Sequence, residues 1–447
     1  MPGSPAKTND QMELRILPSA FILTTGVLLA SPAGAQVMAA GGLHSLALCS
    51  DSTVWDWGNF SSIPVPVSTL NNITTISSGY DHSLAQRNDG TVWTWGTNTY
   101  GELGNGTNTS SSVPVQASPL AGSTAIAGGY NHSLALGIDA IVRAWGRNAD
   151  GQLGDGTNTS SNVPVQVDSI TGITAIAAGG YHSLAVKNDG TVWAWGTNGN
   201  GQLGNGTYTN SNVPVQVDSL AGITAVAGGS AQSYALKNDG TVWAWGVNWN
   251  GELGNGTTTD SPVRVQVSGL TGIIAISGGA FHALALKDDG TVWTWGSNVF
   301  GQLGDGSNTD SHVPVQISSL TDCAAIAGGY QHSLARKNDG TGWGWGNNGA
   351  GALGDGTFAN SNVPVQVSGL CQTGIGMDEI SDDPSITVFP NPSTGKFMVE
   401  GLDRSRAESL EIRNVLGQEI HGSTVNGPLS QIALPPQPAG IYSLSNR

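Results

Sequence analysis

A Trp-Gly pair recurs along this chain at Trp57, Trp95, Trp145, Trp195, Trp245, Trp295 and Trp345. From Trp95 onward the interval is always 50 residues, and the first interval is 38. A fixed period of this length means one supersecondary unit repeated along the chain, each copy burying its apolar face only against its neighbours. Seven copies are present. No other feature constrains the fold as strongly.

One unit reads from residue 173 to 222. Ile173-Thr-Ala-Ile-Ala is a short strand, and Gly179-Gly180-Tyr181 turns it. His182-Ser-Leu-Ala-Val-Lys is a second strand. Asn188-Asp189-Gly190 is a tight hairpin turn, because Asp-Gly tolerates the positive φ such turns need. Thr191-Val-Trp-Ala-Trp alternates in period two as a third strand. A glycine loop runs from Gly196 to Asn212, and Val213-Pro-Val-Gln-Val is a fourth strand with Pro214 suited to an edge. Four antiparallel strands repeated seven times predict an all-β chain folded as a seven-bladed β-propeller, in preference to an open solenoid. Period two puts Trp193 and Trp195 on one strand face, where both rings are expected to fill the gap between neighbouring blades. The recurring Leu103, Leu153, Leu203, Leu253, Leu303 and Leu353 are expected to plug the loops onto the blades.

Composition agrees. The 447 residues include 65 glycines and 14 tryptophans, with only 11% charged, which disfavours helices. The net charge of -16 and the lack of a basic patch speak against a nucleic-acid partner. No stretch after the N-terminal region is apolar and long enough for an integral membrane helix. Three cysteines, Cys49, Cys323 and Cys371, form no CxxC pair. A bridge between Cys323 and Cys371 in adjacent units is one reading, and three small buried apolar side chains is the other.

The motifs Gly-Gly-Tyr-His-Ser-Leu-Ala, Asp-Gly-Thr-Val-Trp-Ala-Trp-Gly and Gly-Gln-Leu-Gly-Asn-Gly-Thr resemble the repeats of the regulator of chromosome condensation superfamily, over roughly residues 36–372. The resemblance implies a rigid propeller used mainly to bind proteins. It also brings guanine-nucleotide exchange factors into view. Members with that activity insert a β-wedge in the ring, and intervals of 50 or shorter leave no room for one here.

Strand parity selects a face. Loops after the first and third strands share one end of the ring. The short turns there carry Leu43, Tyr80, Tyr130, Tyr181, Phe281 and Tyr330, and the long loops carry Tyr100, Tyr208, Trp249, Phe300 and Phe358. Aromatic side chains on rigid loops favour a binding face for a protein or glycan ligand, with Trp249 as its expected hot spot. The alternative for Trp249 is packing against the adjacent loop. The first unit lacks about twelve residues of the long loop, which notches the rim. The third unit has Arg143 where the others carry the first tryptophan, and a looser blade joint is expected there.

Chemistry is thinly represented. His44, His82, His132, His182, His282 and His332 recur at one position, with Gln232 in the remaining unit. Spread around a ring they build no metal site, and a hydrogen bond at the strand start is expected instead. Asp155, Asp305 and Asp355 alternate with Asn105, Asn205 and Asn255, as a turn needing a short acceptor would allow. There is no nucleophile elbow, Walker loop or dinucleotide fingerprint. No catalytic residue, metal or cofactor is expected.

The ends carry addresses. Residues 1–35 read as a signal peptide region, with an apolar run closing on Ala33-Gly34-Ala35. Residues 373–384 form an acidic linker. Residues 385–447 alternate as strands of a small β-sandwich. Three motifs there resemble a type IX secretion system C-terminal sorting domain of the Bacteroidetes. They are Phe389-Pro390-Asn391-Pro392 with Gly395, Leu410-Glu-Ile followed by Leu416-Gly417-Gln418, and Ala439-Gly440-Ile441-Tyr442. The resemblance implies recognition by the secretion machinery and release or anchoring outside the cell. Members of that family continue past the Gly-x-Tyr strand, so the last strand is expected to be lacking. The leading reading is a secreted or outer-surface, non-catalytic binding scaffold. A polysaccharide-active secreted enzyme, a structural or adhesion protein and, last, an exchange factor are the alternatives.

Overall fold

The computed structural model describes residues 37–118, 120 and 122–371, together with six strand segments between 387 and 446. The first of these parts is a seven-bladed β-propeller. Each blade is a four-stranded antiparallel sheet whose strands hydrogen-bond in chain order. Blade 4 shows the pattern, with strands Ile173–Ala178, His182–Lys187, Val192–Gly196 and Ser211–Gln216. Its hairpin turn forms as the Asp-Gly pair predicts. Gly190 takes φ +77°, and Asp189 Oδ1 accepts from Thr191 N at 3.0 Å and Thr191 Oγ1 at 2.6 Å.

The core lies between blades. Leu184, Val192, Leu203 and Val217 of blade 4 pack with Ile223, Val226 and Trp245 of blade 5, all buried. The second tryptophan of each unit seals a joint: Trp145, Trp195, Trp245, Trp295 and Trp345 are fully buried. Where the preceding blade carries a full loop, its indole N–H donates to a carbonyl of that loop, as Trp245 Nε1 does to Gln202 O at 2.9 Å. Gly204 lies against this ring with φ +66°, and a Cβ there would sit 2.7 Å from Trp245 Nε1. Only glycine lets the loop close down on the indole.

The first tryptophan behaves differently from expectation. Trp193 is half-buried near the hairpin end, donates to Thr191 Oγ1 at 3.3 Å, and lies under Lys187 Nζ at 5.6 Å from its centroid. Antiparallel pleating turns both rings to one sheet face, but only the ring nearer the long loop reaches the neighbouring blade. Arg143 therefore does not loosen its joint. It occupies the half-buried position, pairs with Asp139 at 2.9 Å, and leaves Leu134, Val142 and Trp145 fully buried.

A second bond crosses the joints. Each repeated histidine meets a serine of the next blade, as in His132 Nε2 to Ser183 Oγ at 3.0 Å and His182 Nε2 to Ser233 Oγ at 2.9 Å. At the joints with a full loop the serine gives its one hydrogen to a loop carbonyl, as Ser183 Oγ does to Gln152 O at 2.8 Å. There the histidine Nε2 must carry a proton and donate. At the joint of blades 5 and 6 both members change together. Gln232 replaces the histidine, Ala283 the serine, and Gln232 Nε2 donates to Gly279 O and Ala280 O instead.

The ring closes by the bonds that the regular looped joints share, without strand exchange. Tyr330 N donates to Gly41 O at 3.0 Å, Ser45 Oγ meets His332 Nε2 at 2.9 Å, and Trp57 Nε1 donates to Ala352 O at 2.8 Å. Cys49 and Cys371 are disulfide-bonded. Cys323 is a free buried thiol, so the bridge considered between Cys323 and Cys371 does not form. Cys323 instead opens a strand and packs in the joint core with Leu320 and Trp345.

The C-terminal region contains two three-stranded antiparallel sheets. One has Lys396–Glu400 between Thr387–Phe389 and Leu429–Ala433; the other has Ser409–Asn414 between Glu419–Thr424 and Tyr442–Asn446. The segment after the Gly-x-Tyr motif is thus a paired strand. The signal peptide region, the acidic linker and the Pro390–Gly395 motif lie outside the described residues.

Candidate binding face

The long loops and the short glycine turns occupy the same end of the ring. Thr97 N donates to Asp81 O at 2.8 Å and Thr197 N to Tyr181 O at 2.9 Å, tying each loop to its blade's turn. The hairpin turns meet the blade-to-blade connections at the other end, as Asn188 N does Gly172 O.

One asparagine holds each long loop rigid. Asn198 is fully buried; its Oδ1 accepts from Leu203 N at 2.9 Å, and its Nδ2 donates to Thr207 O at 3.0 Å and Thr209 O at 3.1 Å. The loop then docks on the next blade through Gly206 N to Pro262 O at 2.9 Å. Leu103, Leu153, Leu203, Leu253, Leu303 and Leu353 are fully buried plugs.

The ten candidate aromatic residues divide into two groups. Tyr80, Tyr130, Tyr181, Phe281 and Tyr330 are half-buried and gather at the mouth of the central channel. The centroids of Tyr80, Tyr130 and Tyr330, from blades 2, 3 and 7, are 5.2, 5.0 and 6.0 Å apart pairwise, edge to face. Tyr181 packs on Tyr130 at 5.4 Å and Phe281 on Tyr330 at 5.6 Å. Burial pushes the Tyr80 and Tyr130 phenols up, which keeps them neutral. Beneath them, backbone bonds pass from blade to blade around the mouth, from Gly42 N to Tyr80 O through to Tyr330 N to Gly41 O.

The second group stands on the outer loops. Trp249 is 67% exposed, Tyr208 54%, Phe358 51% and Tyr100 42%. Phe300 is half-buried and belongs with neither group fully. Leu43 is exposed on its short turn. Arg147 lies over Tyr181 at 4.7 Å and pairs with Asp150 at 2.8 Å.

The shortened loop of blade 1 exposes a residue that sequence reasoning passed over. Asn59 and Phe60 form a two-residue turn at φ +48° and +76°, and Phe60 is 78% exposed. A bulky residue in the left-handed region is an outlier worth attention. The missing loop was visible in the 38-residue interval. That the turn replacing it would lift a phenylalanine into solvent was not.

The buried glutamates among the described residues do not form a catalytic pair. Glu102 and Glu252 stand in separate loops, accepting from Tyr100 N and Asn250 N at 2.8 Å each, the task Gln152 and Gln202 perform elsewhere. Burial pushes both carboxyls up. The histidines are buried and held neutral, His82, His132, His282 and His332 near 3 and His182 near 4. Among the described residues no group of three or more His, Cys, Asp or Glu is placed to hold a metal, and no helix is long and apolar enough to cross a membrane.

Comparison with known proteins agrees with this architecture. The regulator of chromosome condensation (RCC1) repeat matches residues 89–136, 142–186, 189–236, 239–286, 289–336 and 339–375, and a second profile of that repeat matches 73–102, 124–152, 173–202 and 273–302. A secretion system C-terminal sorting domain matches residues 387–446. No curated protein matches the chain. Human WBSCR16 is similar in structure, with a TM-score of 0.63 and 26% identity over 69% of this chain and 84% of that one. Prp20p from Saccharomyces cerevisiae has a TM-score of 0.63 and 23% identity over 72% of this chain and 86% of that one. Yeast RCC1 (Prp20) in its complex with Kap60 has a TM-score of 0.65 and 20% identity over 78% and 86%. The sorting domain marks the protein as exported, either secreted or at the cell surface. With its repeats, its seven blades and this address, the chain belongs to the regulator of chromosome condensation (RCC1) repeat family.

Proposed function

We propose that this exported propeller is a non-catalytic scaffold that binds a protein partner through its aromatic end. The observation carrying the reading is the set Tyr100, Tyr208, Trp249 and Phe358, exposed on loops that buried asparagines hold rigid. Preorganised aromatic side chains lose little conformational entropy on binding and supply large contact areas. The channel-mouth cluster of Tyr80, Tyr130, Tyr181, Phe281 and Tyr330 forms the floor between those loops, and half-buried Phe300 supports the rim. A protein partner fits a face this broad better than a small ligand. Yeast Prp20, with the same fold, has been crystallised with the protein Kap60 bound.

The test places a photo-crosslinking residue at position 249 on the aromatic end and, separately, at 239 on the hairpin end, in the exported protein of its native culture. A discrete protein adduct from position 249 alone is expected. Against the partner so identified, Trp249→Ala should weaken binding by roughly thirtyfold, as truncation of an interface hot spot does. Adducts from position 239 alone, or unchanged affinity in the combined Tyr208→Ser, Trp249→Ser and Phe358→Ser variant, would overturn the reading.

A further inference from the structure

The notch between blades 1 and 2 is open at the places a loop fills elsewhere. In blade 4 residues 197–210 join the third and fourth strands, and in blade 1 Asn59 and Phe60 alone do so. At the other six joints a loop glycine donates to the outer strand of the next blade, as Gly106 N does to Asn162 O and Gly156 N to Asn212 O, each at 2.9 Å. Blade 1 has no loop to bring that donor to Ser112 O of blade 2. Val113 beside it is 56% exposed, against 38% for Val163 and 37% for Val263. Val67 is half-buried, whereas Val167, Val217 and Val267 are buried in clusters with the plugs Leu153, Leu203 and Leu253. Exposed Phe60 stands at the edge.

Two carboxylates border the place of one missing loop residue. At the joint of blades 2 and 3 that residue is Glu102. Its side chain accepts from Asn131 Nδ2 at 3.4 Å, and its carbonyl accepts from Trp145 Nε1 at 2.7 Å. At the notch Asp81 holds the place of Asn131 and is exposed, and Asp56 Oδ2 accepts from Trp95 Nε1 at 3.0 Å. The charges of both acids act on His44, whose own pKa burial lowers. Burial raises the pKa of both carboxyls, and a cation set beside them favours their ionised form. Among the described residues neither is paired with a lysine or arginine. This chain's own loops carry Glu102, Gln152, Gln202, Glu252, Gln302 and Ala352 at the equivalent place, and its net charge is -16. A second copy therefore supplies no cation there.

We propose that the notch receives a loop of a protein partner, with a lysine or arginine of that loop between Asp56 and Asp81. An adjacent apolar side chain covers Val67, and a backbone N–H of the loop donates to Ser112 O, as the glycines do at the other joints. This contact rests on the reading that the aromatic end binds a protein. It lies across the ring from blade 5, which carries Trp249, so the two can fail separately.

The probe is a copy of the blade 2 loop, residues 98–110, synthesised with Glu102→Lys and closed head to tail, since Asn98 N and Ser110 Oγ lie 3.1 Å apart. Ala352 shows that this place in the loop needs no acceptor side chain. Binding of the labelled peptide to the full-length protein is read by fluorescence anisotropy at pH 8. Saturable one-to-one binding is expected. It should weaken about tenfold or more for the peptide that keeps Glu102, and likewise for the Asp81→Asn protein. A second protein fills the notch with a copy of residues 197–210 in place of Asn59 and Phe60, together with Asp56→Ala, and should not bind the peptide. Thermal melts establish that both proteins fold. No binding of the lysine peptide by the parent protein, equal binding of the Glu102 peptide, or equal binding by the folded Asp81→Asn or filled protein overturns the proposal.

Discussion

The joint between blades 1 and 2 differs from the joints that carry a full loop, and the difference shows what the loop does. At a looped joint the tryptophan N–H and a serine hydroxyl both donate to one carbonyl of the preceding loop, as Trp195 and Ser183 do to Gln152 O. Blade 1 has no such loop. There Trp95 Nε1 donates to Asp56 Oδ2 at 3.0 Å. Asp56 stands where the other units have Thr94, Ala144, Ala194, Ala244, Thr294 and Gly344. A side-chain acceptor has replaced a lost backbone acceptor. The replacement is incomplete, since Trp95 is 6% exposed while Trp195 and Trp245 are fully buried. A buried indole N–H must find a partner, and that requirement outlives the loop that first met it.

The largest effect expected in breaking this comparison is acid unfolding, to which every histidine joint contributes. Each histidine is held below its ordinary value of 6.5 chiefly by burial, to about 3 or 4 at five joints. A depressed folded pKa means the stability is full above 6.5 and is lost as pH falls from there toward 3. Each histidine adds at most about 1.4 kcal/mol per pH unit to that slope. Urea midpoints taken from pH 8 to pH 4 should drop steeply below 6.5. Copying the natural blade 5–6 pair elsewhere, as His132→Gln with Ser183→Ala, should flatten the slope by about one histidine. An unchanged slope would show that the ring of histidines does not set acid stability.

Next in size are the tryptophans. Trp245→Ala empties a complete joint and should cost about 3–5 kcal/mol. Trp95→Ala empties one already lacking its loop and should cost less, measured by denaturant unfolding of both variants side by side. Equal costs would mean the loop adds little to the joint.

Asp56 provides the smallest and sharpest test. Asp56→Ala leaves Trp95 Nε1 without its acceptor, at about 1–3 kcal/mol. Asp56→Asn keeps an acceptor and removes a carboxylate whose pKa burial has raised. With a raised folded pKa, the acid's favourable contribution belongs to low pH and is lost as pH rises through that value. Asn should therefore match or exceed the parent at pH 8, with the advantage narrowing as pH falls. An Asn variant as weak as the Ala variant would remove Asp56 from its proposed role.

The candidate face was only partly legible. Tyr208 and Trp249 stood out as aromatic residues in glycine loops, and they are exposed. Tyr80 and Tyr181 looked equivalent in sequence, yet Gly180 shifts Tyr181 by one residue. Tyr80 therefore joins the central trio, and Tyr181 packs outside it. Phe60 was hidden because a two-residue turn at positive φ gave no glycine or Asn-Gly signal.

Period, strand parity and turn chemistry follow from local rules, so the sequence alone determined the blades, their number and which loops share an end. The repeat also determined the equivalence of positions, from which Asp56 and Gln232 stand out as exceptions. Only the tertiary structure decided what those positions touch. Closing the ring brings residues 287 positions apart, Ser45 and His332, to 2.9 Å. It also makes the second tryptophan a sealed joint and the first a half-buried surface ring. These contacts join different blades, and no periodicity within one blade encodes the distance between two.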